Sequence, residues 1–245
     1  MVARVPEIFS PSRRERLRTR AARRGRDAAG FLAEDVAEDV AERVAFLRHQ
    51  PRHALVSGDH TGAVARALPG IALTDGSEWD DESPYPEAGF DLAVSLFRLD
   101  SANDLPGALI HLHSALAPGG LAIAALVGAG SLPVLRAMML AADADRPAAR
   151  MHPLVDVRGG GPLLQRAGWT DPVIDTRTLS VSYASPERLI ADLRDQGLTS
   201  RLASPAPPIG KAGWERARAA FRDLADDDGR VTETFEILTL SGWKR

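Results

Sequence analysis

The sequence predicts a doubly wound α/β domain, in which helices cover both faces of a largely parallel sheet. One observation is the stretch 121–127, which is almost wholly apolar. A strand of this kind is buried on both faces, as strands of parallel sheets are. A second observation is the order strand, glycine turn and helix across residues 53–57, 58–62 and 63–68. This order opens many nucleotide-binding α/β units.

Composition narrows the possible partners. The 245 residues carry 30 Lys+Arg and 33 Asp+Glu, a formal net charge of −3, which argues against a nucleic-acid partner. Cysteine is absent, so disulfide scaffolds and thiolate metal sites are excluded. His111 and His113 are two residues apart and point to different helix faces, so we expect no metal site. No apolar run is long enough for a transmembrane helix and no signal-peptide core is evident, so we expect a cytoplasmic protein.

An arginine-rich segment comes first. Residues 13–26 contain eight arginines and one acid, Glu15. The segment is either a solvated amphipathic helix or a basic surface for an acidic partner; an organelle-targeting presequence is disfavoured by its short length. Residues 31–48 repeat apolar side chains every three or four positions, which predicts a surface helix. We therefore assign residues 1–50 to a helical N-terminal segment.

The main domain is expected to span residues 51–245, with helical insertions at about 131–157 and 185–229. Residues 71–74 follow the first helix and are predicted to form a buried strand, and Pro118-Gly119-Gly120 is predicted to end a helix. The predicted strands are 53–57, 71–74, 91–96, 121–127, 173–181 and 232–240. The predicted helices after the first are 103–117, 132–144, 162–167, 186–196 and 213–225.

The glycine turn is the feature that bears most on chemistry. Gly58 and Gly62 allow a tight turn and a close approach of ligand to backbone amides, but the Cβ of His60 stands between them. An ordinary strand-to-helix turn is the alternative. Asp75 ends the second strand, where a carboxylate accepts hydrogen bonds from ribose hydroxyls, or from an adenine amino group if the strand lies further along the sheet. As an alternative, Asp75 and Gly76 form a simple turn.

Several stretches together resemble a known family. Residues 90–95, 103–109 and 116–120 are similar to the central strand, helix and glycine turn of class I S-adenosylmethionine-dependent methyltransferases. Residues 130–136, 192–197 and 242–244 resemble two branches of it. One branch is the biotin-pathway methyltransferase that esterifies malonyl-acyl-carrier protein. The other is the mitochondrial complex I assembly factor of methyltransferase fold, reported to hydroxylate an arginine.

The resemblance implies a Rossmann-like sheet of seven strands with the last strand antiparallel. S-adenosylmethionine would bind at the carboxyl ends of the first strands. Arg136 matches an arginine that holds a substrate carboxylate, and Tyr183 is a second substrate-side candidate. The general base is unknown, and His60, Asp100 and Tyr183 are the candidates near the expected site. The expected cofactor residues are Gly58, Asp59, His60, Gly62, Asp75, Gly76, Ser95 and Leu96.

The sequence also departs from the family. Val56 stands where the family has an acid, His60 replaces its middle glycine, and Asp100-Ser101 replaces a His-Trp pair. The region between Gly62 and Phe90 is too short by about one strand and one helix, so the β2/β3 part of the sheet should be shortened. The missing piece normally supplies the ribose carboxylate, which matches Asp75 to the adenine-side aspartate instead. Loss of a charged hydrogen-bond acceptor costs about 1.5–3 kcal/mol, so cofactor binding should be weakened.

Three functions follow from these observations. The first is an S-adenosylmethionine-dependent methyltransferase acting on a protein or an acyl-carrier-protein-bound substrate. The second is a degenerate, non-catalytic assembly or binding factor that keeps the methyltransferase fold. The third is a protein-arginine hydroxylase built on the same fold.

Overall fold

The computed structural model describes residues 6–24, 29–144, 146–156 and 160–245. Within these ranges no helix is both long and apolar enough to cross a membrane. The helices are α1 (Pro11–Arg24), α2 (Phe31–Phe46), α3 (Ala63–Ala67), α4 (Leu105–Ser114), α5 (Pro133–Asp143), α6 (Gly160–Arg166), α7 (Pro186–Asp195) and α8 (Lys211–Arg222), with a 3-10 helix at Leu99–Ser101. The strands are β1 (His53–Ser57), β2 (Ala72–Asp75), β3 (Phe90–Leu96), β4 (Leu116–Val127), β5 (Thr170–Tyr183) and β6 (Val231–Trp243).

The six strands form one sheet in the order β2-β1-β3-β4-β6-β5. Strands β1 to β4 pair in parallel, whereas β6 is antiparallel to both β4 and β5. The predicted α/β class is confirmed. The sheet has one strand fewer than the seven implied by the family, in agreement with the shortened region after Gly62, and its last strand is antiparallel as expected.

Strand β2 was predicted to be buried, and this is wrong. It pairs only with β1 and forms the edge of the sheet, so Ala72 and Leu73 are exposed. Strand β2 lies directly beside β1, and Asp75 pairs with Val56. The assignment of Asp75 to the adenine side, with the ribose as the alternative, stays a prediction.

Residues 118–120 were predicted to end a helix at 103–117, but they lie in β4, which begins at Leu116. The amide of Gly119 donates to the carbonyl of Lys244, and the amide of Lys244 donates to the carbonyl of Gly120. This long-range pairing extends β4 towards its amino end. The preceding helix is correspondingly shorter than predicted, and it starts where the Asp104 side chain accepts from the amide of Gly107.

Two apolar layers enclose the sheet. On one face, α2 contributes Leu32, Val36 and Val40 to a core shared with the strands. On the other face, α4 contributes Leu109 and Leu112. The spacing of these residues is the helical period seen in the sequence. The arginine segment forms α1 up to Arg24, and its predicted end at residue 26 lies outside the described residues. The domain boundary at residue 50 stays a prediction.

Candidate functional site

A cavity of about 290 Å³ lies where β1, β2 and β3 end, and we call it the strand-end cleft. Its volume is close to the lower limit of about 300 Å³ for small-molecule pockets. In a parallel sheet this edge is where ligands bind. Five of the eight expected cofactor residues line the strand-end cleft: Gly58, Asp59, His60, Asp75 and Leu96.

The other three expected residues do not line the cleft but support its walls. Gly62 has φ +72° and precedes α3, a backbone conformation that favours glycine. The amide of Gly76 donates to the carbonyl of Val56 and holds the end of β2 against β1. Ser95 is buried on β3.

Asp59 and His60 change the character of the glycine turn. The carboxylate of Asp59 accepts from the amides of Ala63 and Val64 at 2.9 and 2.8 Å, so it caps α3. Those amide donors are therefore already satisfied. His60 lines the strand-end cleft, and its Nε2 atom is buried with no hydrogen-bond partner among the described residues.

Gly58 is needed by the fold itself. Its φ is +84°, and an added Cβ would lie 2.2 Å from the carbonyl oxygen of Leu96. Its amide donates to the hydroxyl of Ser77 at 3.2 Å. The glycine therefore lets the β1 turn pack against the end of β3, whether or not a ligand is bound.

Arg98 shapes the floor of the cleft and was not singled out from the sequence. Its buried guanidinium pairs with Asp81 at 2.8 Å. It also donates to the carbonyls of Ser77 and Trp79, both at 2.6 Å. Arg98 thus fixes the loop that follows β2. Its place directly after β3, at the edge where sites form, was the available signal.

Helix α1 covers the strand-end cleft with residues that include Arg18, Thr19 and Ala22. The buried guanidinium of Arg14 donates to the carbonyl of Ser101 at 3.0 Å and pairs with Glu82 at 2.6 Å. Arg18 reaches Asp81 at 3.4 Å. The interpretation of this segment as a merely solvated helix is therefore wrong for these two arginines, which attach α1 to the domain.

A second cavity, of about 190 Å³, is lined mainly by apolar side chains, and we call it the apolar cavity. Its walls include Leu135, Met139 and Trp214. His152 and Asp100 are polar groups within it. Burial lowers the pKa of His152 to about 4, and the charge of Arg201 acts in the same direction. The imidazole is therefore neutral at pH 7.

A buried ion pair joins the two cavities. Asp100 lines the apolar cavity, and its partner Arg201, at 2.9 Å, lines the strand-end cleft. Burial raises the pKa of Asp100, and the charge of Arg201 opposes that rise. Arg201 also donates to the carbonyls of Phe97 and Gly197. Phe97 has φ +51°, so the arginine holds a backbone conformation that side chains rarely adopt.

Neither substrate-side candidate lines either cavity. Arg136 is exposed on α5, which turns Leu135 and Met139 towards the apolar cavity instead. Tyr183 is buried at the end of β5, where burial and the nearby Asp192 carboxylate raise its pKa.

The cavities also separate the three candidates for the general base. His60 lines the strand-end cleft and Asp100 lines the apolar cavity, whereas Tyr183 lines neither. The geometry gives no support to the substrate roles of Arg136 and Tyr183, which stay predictions.

Comparison with known proteins gives two kinds of relative, although no family model matches the chain. The arginine-hydroxylase NDUFAF5, mitochondrial, of Rattus norvegicus is 32% identical over 165 residues. That match covers 66% of this chain and 48% of the relative, so the chain spans about half of its length. Malonyl-[acyl-carrier protein] O-methyltransferase 1 of Coxiella burnetii is 26% identical over 238 residues, covering 89% of this chain and 83% of the relative.

Among solved structures, a putative methyltransferase from Bacillus halodurans superposes with a TM-score of 0.51 and 12% identity. The match covers 84% of this chain and 98% of that one. At this identity the likeness concerns the fold alone. The strand order, the antiparallel last strand and these comparisons identify the chain as a protein of the class I methyltransferase fold and a homologue of NDUFAF5 and of the malonyl-acyl-carrier-protein O-methyltransferases.

Proposed function

We propose that this protein binds S-adenosylmethionine in the strand-end cleft and transfers its methyl group to an acceptor presented by a protein or by an acyl-carrier protein. The observation that carries the proposal is the cleft itself. Five residues expected to contact the cofactor, from three separate segments, line one cavity at the carboxyl ends of three parallel strands. The Coxiella relative is named a malonyl-[acyl-carrier protein] O-methyltransferase, which supports methyl transfer and a carrier-bound acceptor.

The residues of the cleft fit a nucleoside. The exposed carboxylate of Asp75 stands at the end of β2, where its Oδ1 accepts from the amide of Ser77 at 2.9 Å and its Oδ2 is left to accept from ribose hydroxyls. Leu96 and Phe97 supply apolar surface for a base. Arg18 of α1 also lines the cleft, but its guanidinium is engaged by Asp81 and Glu15. Asp59 would take no direct part, because its oxygens are committed to α3.

S-adenosylmethionine held in the cleft would supply an electrophilic methyl group for an acceptor nucleophile. The protein's contribution is positioning: Asp75 and the apolar wall orient one reactant, and the apolar cavity receives the other. The Asp100–Arg201 pair lies between them. It must therefore shift or be bypassed for the two reactants to meet.

A second candidate function is a non-catalytic assembly or binding factor. Three observations favour it: His60 projects into the cleft, Asp59 occupies amide donors at the glycine turn, and the cleft is small. The Rattus relative is named an arginine-hydroxylase, so arginine hydroxylation is a third activity to assay.

The test is calorimetric titration with S-adenosylmethionine and S-adenosylhomocysteine. Asp75→Asn should weaken binding by about tenfold to a hundredfold, because a neutral amide accepts from ribose less strongly than a carboxylate does. Asp80→Asn is the matched control. Asp80 is also exposed and holds a neighbouring backbone amide, that of Glu82, but it does not line the cleft. The Asp80→Asn variant should bind S-adenosylmethionine with the same affinity as the native chain.

Absence of binding at millimolar ligand would reject the proposal and leave the assembly-factor function. Equal losses of affinity in Asp75→Asn and Asp80→Asn would reject the placement of the ribose at Asp75.

A further inference from the structure

A second concave site adjoins the apolar cavity, and basic side chains line it. It has a volume of about 530 Å³, within the range of about 300–1,000 Å³ that small-molecule sites occupy. We call it the arginine groove, after the arginines that line it: Arg13, Arg16, Arg20, Arg150 and Arg194. No acidic side chain lines the groove within the part of the chain that the structure describes. The arginine groove therefore favours an anion.

Most of this positive charge is uncompensated. Arg150 pairs with Asp143 at 2.5 Å. The other four arginines form no ion pair with any residue that the structure describes. The ion pairs of α1 belong instead to Arg14, Arg18 and Arg24, which do not line the groove. Four like charges around one concave site repel each other, so a bound anion would relieve that repulsion.

The four unpaired arginines stand on two helices that pack together. Arg13, Arg16 and Arg20 are three and four residues apart, so they follow each other on one face of α1 over about 10 Å. Arg194 comes from α7, which packs against α1. The groove lies between these elements, so donors from two walls can contact the same anion.

Two hydroxyl groups add to these donors. Thr199 and Ser200 line the groove where it meets the apolar cavity, and neither hydroxyl has a hydrogen-bond partner among the described residues. Guanidinium and hydroxyl groups are common ligands of phosphate. A phosphate monoester carries nearly two negative charges at pH 7 and three strong acceptor oxygens. It therefore matches this set of cations and hydroxyls better than a single carboxylate does.

The position of the groove indicates where the rest of such a ligand would go. The arginine groove and the apolar cavity share a mouth, which is formed by Met139, Arg150, Ile190, Thr199, Ser200 and Ile209. Beyond this mouth the cavity carries the polar side chains of Asp100 and His152 as well as apolar ones. A ligand with its phosphate in the groove can therefore place its organic part in the mouth.

We propose that the arginine groove binds the phosphate group of a small phosphate monoester, whose organic part enters the mouth shared with the apolar cavity. The inference goes beyond the proposed function, because it assigns a second ligand site. Binding there needs no S-adenosylmethionine, so the failure of one proposal leaves the other intact.

The experiment is calorimetric titration of the full chain with phenyl phosphate, inorganic phosphate and benzoate. Phenyl phosphate should bind at least about tenfold more tightly than inorganic phosphate, because its ring buries apolar surface in the mouth. It should also bind at least about tenfold more tightly than benzoate, which has one charge and two acceptor oxygens.

Neutralising the groove should weaken the binding of both phosphates. Arg16→Gln combined with Arg20→Gln should raise the Kd for phenyl phosphate and for inorganic phosphate by about tenfold or more. Arg23→Gln is the matched control, since Arg23 is an exposed arginine of the same helix that does not line the groove. That substitution should change either Kd by less than about twofold.

A variant of the mouth tests the placement of the organic part. Met139→Trp fills the mouth and should lower the affinity for phenyl phosphate to that for inorganic phosphate, which should bind as it does to the native chain. Circular dichroism and Tm verify that each variant is folded.

Four results would overturn the inference. Absence of phenyl phosphate binding at millimolar concentration would reject the site. Equal losses in the double variant and in Arg23→Gln would reject its location. Equal affinities of the native chain for phenyl phosphate and inorganic phosphate would reject an organic part in the mouth. A pentaglutamate peptide or benzoate that binds as tightly as phenyl phosphate would show that the groove takes carboxylates instead.

Discussion

A single side chain, His60, stands at the turn where a ligand would approach the backbone of β1. Its Nε2 atom is buried without a partner among the described residues. We expect His60→Gly to improve the affinity for S-adenosylhomocysteine by about 1 kcal/mol, or several-fold in Kd, because steric bulk and an unsatisfied polar atom leave the cleft. His60→Ala should gain less, since it keeps the Cβ. Calorimetric titration of both variants measures the Kd for S-adenosylhomocysteine. An unchanged or higher Kd for the glycine variant would contradict the steric argument.

The imidazole of His152 makes stability depend on pH. Its pKa is about 4 in the folded chain, below the ordinary value of 6.5, chiefly because it is buried. Between about pH 6.5 and pH 4 the imidazole of His152 is therefore protonated in the unfolded chain but neutral in the folded chain. Stability attributable to this residue is lost as pH falls through that window, by about 2–3 kcal/mol in total.

His152→Phe should abolish that loss while preserving the edge contact with Phe9. The measurement is the free energy of unfolding in urea at pH 7 and at pH 4.5. His111→Gln, on α4 and away from both cavities, is the control and should keep the full difference between the two pH values. An identical pH dependence in the native chain and His152→Phe would show that another group titrates.

Helix α1 illustrates how one element serves two purposes. Arg14 and Arg16 are two residues apart, yet Arg14 is buried against Glu82 and Arg16 is exposed. Arg14→Ala should lower the free energy of unfolding by about 2–3 kcal/mol, because the carboxylate of Glu82 loses its cation and keeps the amides of Asn103 and Asp104 as donors. Arg16→Ala should change it by less than about 0.5 kcal/mol. Urea titration of both variants tests this, and similar small losses would mean that α1 is not anchored by the pair.

The elements that were predicted well are those with a local signal. The apolar periodicity of α2, and the alternation of apolar and polar residues in β5 and β6, depend only on residues that are close in sequence. The start of β4 was missed because it depends on Lys244, more than a hundred residues away. The exposure of β2 was missed because a short apolar run does not reveal whether a neighbouring strand exists.

The candidate site shows the same difference between residues with a local signal and residues placed by long-range contacts. Residues next to strand ends, such as Asp75 and Leu96, were found because the carboxyl ends of parallel strands meet at one edge. Arg201 and His152 were missed, since loops far apart in sequence bring them to Asp100. Arg136 was placed by resemblance, and the face that α5 presents to the apolar cavity carries Leu135 and Met139 instead.

At the scale of the whole molecule, a ligand bound only by the folded chain must raise its stability. At 100 times its Kd, S-adenosylhomocysteine should add about 2.7 kcal/mol, which raises Tm by several degrees for a domain of this size. Asp75→Asn should show a smaller shift at the same concentration, and Asp80→Asn the full shift. Differential scanning calorimetry measures all three, and a flat response to ligand would reject a site formed by folding.

Strand β5 joins the sheet through β6 alone, and it does so over almost its whole length, from Thr170↔Trp243 to Tyr183↔Val231. During synthesis β5 leaves the ribosome first, and α7 and α8 follow before β6 appears. Until β6 is made, β4 has one unpaired edge and β5 has no neighbouring strand to pair with. The parallel part of the sheet can therefore form during synthesis before the antiparallel part, and the unpaired edge of β4 is then open to a chaperone or to aggregation.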